Sequence, residues 1–316
     1  FSHVSLHHAD AVFDWQLGPS LGDSLRVSDS YFGNLHADAV FCSNRNNFDL
    51  YNSQRIVIDN NRFVGFGYFW EVNHHGYEGV NVHDNSMFIL SGNEFIDIAQ
   101  VFKVQAGEVE FSSTGGRIHF INNQIENHTY FFRLNFRLLS EYVETDSSEM
   151  TIVFQNNQFN LINSGGPLIR FSDNTTEGSL LLKGNTSEVV SFRVEGFREA
   201  LIQDNTIKNT GSNDGGIAIW ENDKLLVENN TLINNQIGIS ISRHYGAQDT
   251  IQYNTITGGM KGIYLKENAD SVIIINNNLD GEDYSIFNET SNNIDARFNW
   301  WGETVTADMD AGGNPK

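Results

Sequence analysis

Four cations fall at matching places in four successive repeats of this chain. They are Lys103 in "VFKVQ", Arg133 in "FFRLN", Arg170 in "LIRFS" and Arg193 in "SFRVE". Each sits between two large apolar residues. Side chains of an extended strand alternate between faces, so the flanking pair turns inward and the cation outward. Like charges on neighbouring strands repel. Solubility does not require them, because 40 acidic residues stand against 19 basic ones and the net charge is -21. Such a row points to an anion lying across it, and arginine suits bidentate contact with carboxylates or sulfates.

Aligned by their inward residues, these strands give an outward column of Glu71, Lys103, Arg133, Arg170, Arg193, Ala218, Ser240 and Tyr264. Two residues further on, a second column reads Asn73, Gln105, Asn135, Ser172, Glu195, Trp220, Ser242 and Lys266. Cleavage of a uronate polymer by β-elimination needs a cation on the carboxylate, a base for the C5 proton and an acid for the leaving oxygen. Lys103, Arg133 and Arg170 are the candidate catalytic set. Arg193, Glu71, Asn73, Gln105, Asn135, Glu195, Trp220 and His74 are the candidate substrate contacts. The alternative is that acidic loops such as "SEYVETDSSE" (140–149) fold over this face and neutralise it with structural ion pairs. Extra segments at 73–85 and 135–149 sit beside the column, and long loops on a regular scaffold are common places for sites.

Other chemistry finds weaker support. Glycoside hydrolysis needs paired carboxylates. "HADAVF" occurs at 8–13 and 36–41, which sets His8 over His36 and Asp10 over Asp38, with Asp14, Glu71 and Glu78 nearby. Turn formation before a strand is the simpler role for Asp10 and Asp38. His7, His8, His74 and His75 are adjacent pairs, whose members point to opposite faces of a strand, so a pair seldom chelates one metal ion. Calcium suits the Asp- and Asn-rich loops, but no 12-residue loop pattern accompanies them. Cys42, the single cysteine, has no evident partner base and permits no internal disulfide.

The acidic balance argues against nucleic acid or an anionic membrane as a partner. No run of 18 apolar residues marks a membrane span. The opening "FSHVSLHHADAVFDW" reads like the middle of a strand and suggests a mature or trimmed chain. Sequons at Asn127, Asn174, Asn185, Asn229 and Asn288 are read as coincidences of an Asn-rich composition. A secreted, periplasmic or cell-surface location fits this composition.

The elements that must position these residues are visible as a repeat. "RIVIDNNRF", "MFILSGNEF", "RIHFINNQI", "TIVFQNNQF", "ALIQDNTI", "LLVENNTL" and "VIIINNNL" share one pattern. Alignment puts Asn61, Asn93, Asn123, Asn157, Asn185, Asn205, Asn230, Asn254, Asn277 and Asn299 in one column, with Ser30 one repeat earlier. Spacings of 20 to 34 residues are solenoid periods. Helix-forming stretches are missing and short alternating strands recur. The pattern therefore predicts an all-β, right-handed parallel β-helix of about eleven rungs with an Asn ladder and a C-terminal cap. Asn tolerates the left-handed corner and its amide can bond from rung to rung. One domain is expected over 1–316: a long-rung half at 1–200, short regular rungs at 201–292, and a last rung with cap at 293–316. Trp300 and Trp301 are expected to pack in that cap.

"GIAIWENDKLLVENNTL", "GISISRHYGAQDTIQYNTI" and "GIYLKENADSVIIINNNL" resemble the generic parallel β-helix repeats, including those of NosD-like periplasmic proteins. The likeness covers roughly residues 200 to 310 and implies a fold rather than a chemistry. β-Helical polysaccharide lyases such as the chondroitinase B and alginate lyase group are similar in architecture, though their motif, a Lys in a Ser- and Asn-rich strand behind calcium-binding acids, is not found here. Two readings of function remain: a secreted protein that binds, and by elimination cleaves, an acidic polysaccharide; or a non-catalytic adhesin or spacer.

Overall fold

The structure, a computed structural model, describes residues 5–6, 11–14, 25–33, 40–44, 48–50, 54–65, 68–72, 79–83, 86–97, 100–104, 109–114, 116–128, 133–138, 151–161, 168–173, 178–242, 249–266, 269 and 272–312. Every strand pairing among them is parallel. Strands that precede the ladder residues, from Leu25–Ser28 and Arg55–Asp59 to Asp249–Gln252 and Val272–Ile275, form one ten-stranded sheet. Their alternation is the reason: Ile56 and Ile58, Phe88 and Leu90, and Leu180 and Leu182 are buried while the residues between them are not. Asp295 bridges Ile273 and begins an eleventh turn on this face. The chain is a parallel β-helix.

Two further files of strands make up the rest of the wall. One follows the ladder residues, from Tyr31–Gly33 to Thr231–Ile233. The other runs through Gly79–His83, Val109–Thr114, Arg133–Leu138, Leu168–Asp173, Ser191–Glu195, Ile217–Trp220 and Ile237–Ser242. Both files merge into the 11-residue strands Thr255–Leu265 and Asn278–Asn288, which makes a single 19-stranded sheet. The early turns carry an additional wall of four strands, Ala11–Asp14, Val40–Asn44, Tyr68–Val72 and Gln100–Val104. The long early rungs are therefore partly extra strand, not only loop. Within the expected insertions, 79–83 and 135–138 are regular strand.

Stacked rings fill the core. Phe32, Phe63 and Phe95 lie face to face at 5.2 and 5.1 Å, and Phe136, Phe171 and Phe192 at 5.2 and 6.4 Å. Beside them runs the asparagine ladder. Each Nδ2 from Asn61 to Asn277 donates to the Oδ1 of the next ladder residue at 2.9–3.1 Å, ending on Asn299. The same Oδ1 accepts the preceding ladder residue's backbone N–H at 2.8–3.1 Å. One part of the expectation is corrected. The ladder asparagine does not take the left-handed conformation; the residue just before it does, from Asp29 (φ 50°) through Asn122 (φ 57°) to Phe298 (φ 62°). The ladder residue instead keeps its amide inside, where burial demands that its hydrogen bonds be made. The helix Gly302–Asp310 follows the last turn, and Trp301 packs on the core. The cap role thus belongs to Trp301, whereas Trp300 is 46% exposed.

Candidate functional site

Strands Leu168–Asp173, Ser191–Glu195 and Ile217–Trp220 lie side by side with Arg170 opposite Arg193 and Arg193 opposite Ala218. Ser172, Glu195 and Trp220 stand in the parallel file two residues on. Ile169, Phe171, Phe192, Val194, Ile217 and Ile219 are fully buried and anchor the backbone from inside. Alternation then turns Arg170, Arg193, Glu195 and Trp220 to the outer surface. Glu195 is followed by Gly196 at φ 79°, and a Cβ there would lie on the Asp173 carbonyl oxygen. Only glycine allows this close approach of the two turns.

The side chains form one connected set. Arg170 Nη2 donates to Glu195 Oε2 at 2.8 Å. Arg193 Nε stands 3.3 Å from the same oxygen, an ion pair in which the N–H is not aimed at it. The Arg193 guanidinium carbon lies 3.8 Å from the centre of the Trp220 ring. Two guanidinium groups and one carboxylate leave this set at a net +1. The Nε atoms of both arginines have no hydrogen-bond partner among the described residues. All three charged side chains are partly exposed, at 34% for Arg170, 18% for Arg193 and 22% for Glu195.

Towards the C-terminus the outer face closes. Ala218 and Ser240 are buried, Ser240 Oγ donates to the Asp214 carbonyl oxygen, and Lys266 Nζ pairs with Asp214 Oδ1 at 3.4 Å. The turn around Ser212–Gly215 therefore covers the file just beyond Arg193. Past it, Lys261 Nζ sits 3.6 Å from the Tyr264 ring centre. This covering turn was missed by sequence reasoning. The small outward pair Ala218 and Ser240 was the available signal, since small residues leave room for a chain to lie over them.

The four-cation column does not form in the expected register. Asn135, not Arg133, lies opposite Arg170, and Arg133 lies opposite Leu168. Leu134 and Phe136 match the inward pair Ile169 and Phe171, so the expected pair Phe132 and Leu134 was two residues off. Lys103 is opposite Glu71 in the four-stranded wall, a different sheet from Arg170. The cations brought together are Arg170 and Arg193, with the predicted contacts Glu195 and Trp220. Arg137, opposite Ser172, joins the second file unpredicted. Asn73, His74 and Gln105 lie outside the described residues, as do His7, His8, His75 and the loop 140–149. The "HADAVF" repeat also pairs one residue away from expectation, with Ala11 opposite Val40 and Phe13 opposite Cys42.

The model of the family described as periplasmic copper-binding protein (NosD) matches residues 121–313, more than half of the chain. The chain belongs to the NosD family. That membership agrees with the parallel β-helix and with the expected periplasmic or cell-surface location. Comparison with curated proteins and with solved structures gave no match. No helix among the described residues is long and apolar enough to cross a membrane.

The NosD description raises the question of copper. Copper sites draw on His, Cys and Met. Over 121–313 the sequence holds only His128 and His244, no cysteine, and Met150, Met260 and Met309. Among the described residues no three His, Cys, Asp or Glu side chains come together as a metal site. The described rungs of this NosD-family chain do not fit a copper centre.

Proposed function

We propose that this NosD-family β-helix is a periplasmic protein that binds an acidic polysaccharide across the outer face at Arg170, Arg193, Glu195 and Trp220. The observation that carries the reading is the sharing of Glu195 Oε2 by two guanidinium groups, one of them stacked on an indole. Here one positive charge is in excess on a chain of net charge -21. Uronate or sulfate groups complement that excess by charge-assisted hydrogen bonds, and the stacked Arg193–Trp220 surface offers a flat platform to a sugar ring. Asn135 lies opposite Arg170 in the strand of the turn before.

Binding is favoured over cleavage. Elimination needs base and charge neutraliser at one sugar, and Lys103 belongs to a different sheet from Arg170. The test is isothermal titration with alginate, pectate, glycosaminoglycans and sulfated glycans, with ultraviolet absorbance followed for unsaturated products. Binding to at least one polymer, weakened at least tenfold in Arg193→Ala and by added salt, is the expected result. Absence of binding to all of them, or binding unchanged in Arg193→Ala, overturns the proposal.

A further inference from the structure

Tyr253 and Phe298 occupy the corner position just before a ladder asparagine, at φ 56° and 62°. A Cβ at such angles crowds the following carbonyl oxygen, and bulky residues are rarely found there. The other nine turns use Asn, Asp or Gly. Burial does not offset the strain, because Tyr253 is 55% and Phe298 76% exposed. Trp300, two residues past Phe298, is 46% exposed. These three are the strongly exposed aromatic side chains among the described residues, and all lie along one corner of the last turns.

The ladder fixes their arrangement. Asn254, Asn277 and Asn299 are consecutive ladder residues. Tyr253, Asn276 and Phe298 therefore stand in file, one per turn, which puts the backbone positions of Tyr253 and Phe298 roughly 10 Å apart at about 4.8 Å per turn. Trp300 bridges Asn278 in the adjoining file. The half-buried Asn276 and Asn278 thus stand in register with the ring-bearing positions. Arg297 is near Phe298, its guanidinium carbon 5.8 Å from the ring centre, but Asp295 holds it by two bonds of 2.8 Å. The patch is apolar and amide-edged, and Asp295 neutralises Arg297.

We propose that this corner is a second glycan site, for a neutral polysaccharide whose pyranose faces stack on Tyr253, Phe298 and Trp300. Rings two turns apart suit contact with alternate sugars of an extended chain running along the solenoid, and the amides between them suit hydroxyl groups. A protein partner fits less well. A stable interface buries about 800 Å² on each side, whereas three rings supply at most about 150–250 Å² each. The site differs from the arginine face in position and in charge class, so it stands independently of the acidic-polysaccharide reading.

The strain makes the test clean. In Tyr253→Asn/Phe298→Asn the new residues suit the corner, so the melting temperature should rise while both rings are removed. Affinity electrophoresis would be run in gels containing hydroxyethylcellulose, xylan, glucomannan or glycogen. The expected result is retardation of the natural chain by at least one of these polymers, and at least a tenfold loss of apparent affinity in the double variant. Arg193→Ala should be retarded as the natural chain is, which separates this site from the arginine face. Migration unaffected by all four polymers, or equal retardation of the double variant, sinks the idea. So does a sedimentation change from dimer to monomer in the double variant without any glycan retardation, since a second copy of the chain would then be the occupant.

Discussion

Arg193 stacks on Trp220 from the next turn, guanidinium carbon to ring centre 3.8 Å, while leaning on the carboxylate that also holds Arg170. Glu195 thus restrains both cations without cancelling both. Trp220 fixes the plane of one of them.

Trp220→Ala should weaken binding of an acidic polymer about 2- to 30-fold, the range for losing a cation–π contact worth about 0.5–2 kcal/mol. Glu195→Gln separates a binding surface from a purely structural ion pair. Removal of the shared carboxylate raises the local charge from +1 to +2, so affinity at low salt should increase. A decrease, with the melting temperature unchanged, would count against the arginines as ligand contacts. Titration at two ionic strengths reads both outcomes.

The ladder should be least tolerant in its middle. Asn205 Nδ2 donates to Leu182 O and to Asn230 Oδ1, and its Oδ1 accepts from the backbone and side-chain nitrogens of Asn185, all at 2.9 Å. Asn205→Ala strands several of these buried groups, at about 1–3 kcal/mol each. A loss of about 3–5 kcal/mol is expected in urea denaturation. Asn299→Ala, at the partly buried end of the ladder, should lose less.

Much of this was legible beforehand, and the reason is physical. The ladder repeats because every turn faces the same demand for a buried, fully bonded amide, so Asn61 through Asn299 align by eye. The cation file did not align as well. The early turns contain an additional wall whose strand Gln100–Val104 carries the same apolar-cation-apolar pattern, so Lys103, in the four-stranded wall, and Arg170, in the 19-stranded sheet, share a local pattern without sharing a sheet. Arg133 was misplaced for a related reason: "YFFRLNF" alternates large apolar residues over a long enough run that two registers satisfy the pattern equally. Only Phe136 against Phe171 decides between them. Among the described residues the fourth wall does not continue into the later turns, and there Arg170, Arg193, Ala218, Ser240 and Tyr264 pair as expected.

Tyr253→Asn alone should stabilise the protein by about 1 kcal/mol, the order of the left-handed penalty for a side chain that cannot bond locally. Thermal unfolding of the single variant measures it. A lower melting temperature would show that the ring earns its place through contacts in the folded chain.

Asp249 supplies a pH dependence. It lies in an inward file of the ten-stranded sheet, between Leu225 and Val272, fully buried. Burial pushes its carboxyl up from 3.8 to about 8, only partly offset by a backbone hydrogen bond from Leu225. The raised group stays protonated in the fold while the unfolded chain ionises. Its contribution to stability is therefore full below about pH 4 and is lost progressively as pH rises through about 8. Asp249→Asn, neutral throughout, should be more stable than the natural chain, by a margin that grows across that window. Chemical denaturation at several pH values tests this. A margin independent of pH would show that Asp249 ionises alike in both states.

The asparagine thread also has a direction. From Asn61 to Asn277 each side-chain amide gives one proton to the ladder oxygen of the next turn and the other to a carbonyl oxygen of an earlier turn, so the side-chain links all run the same way. At one end Ser30 holds the ladder position without a side-chain amide, its backbone N–H donating to Asn61 Oδ1, and Asn299 gives its amide protons to Ile274 and Ala296 at the other. A turn docked backwards would meet oxygen with oxygen. The ladder is thus polar, with a distinguishable head at Ser30 and tail at Asn299.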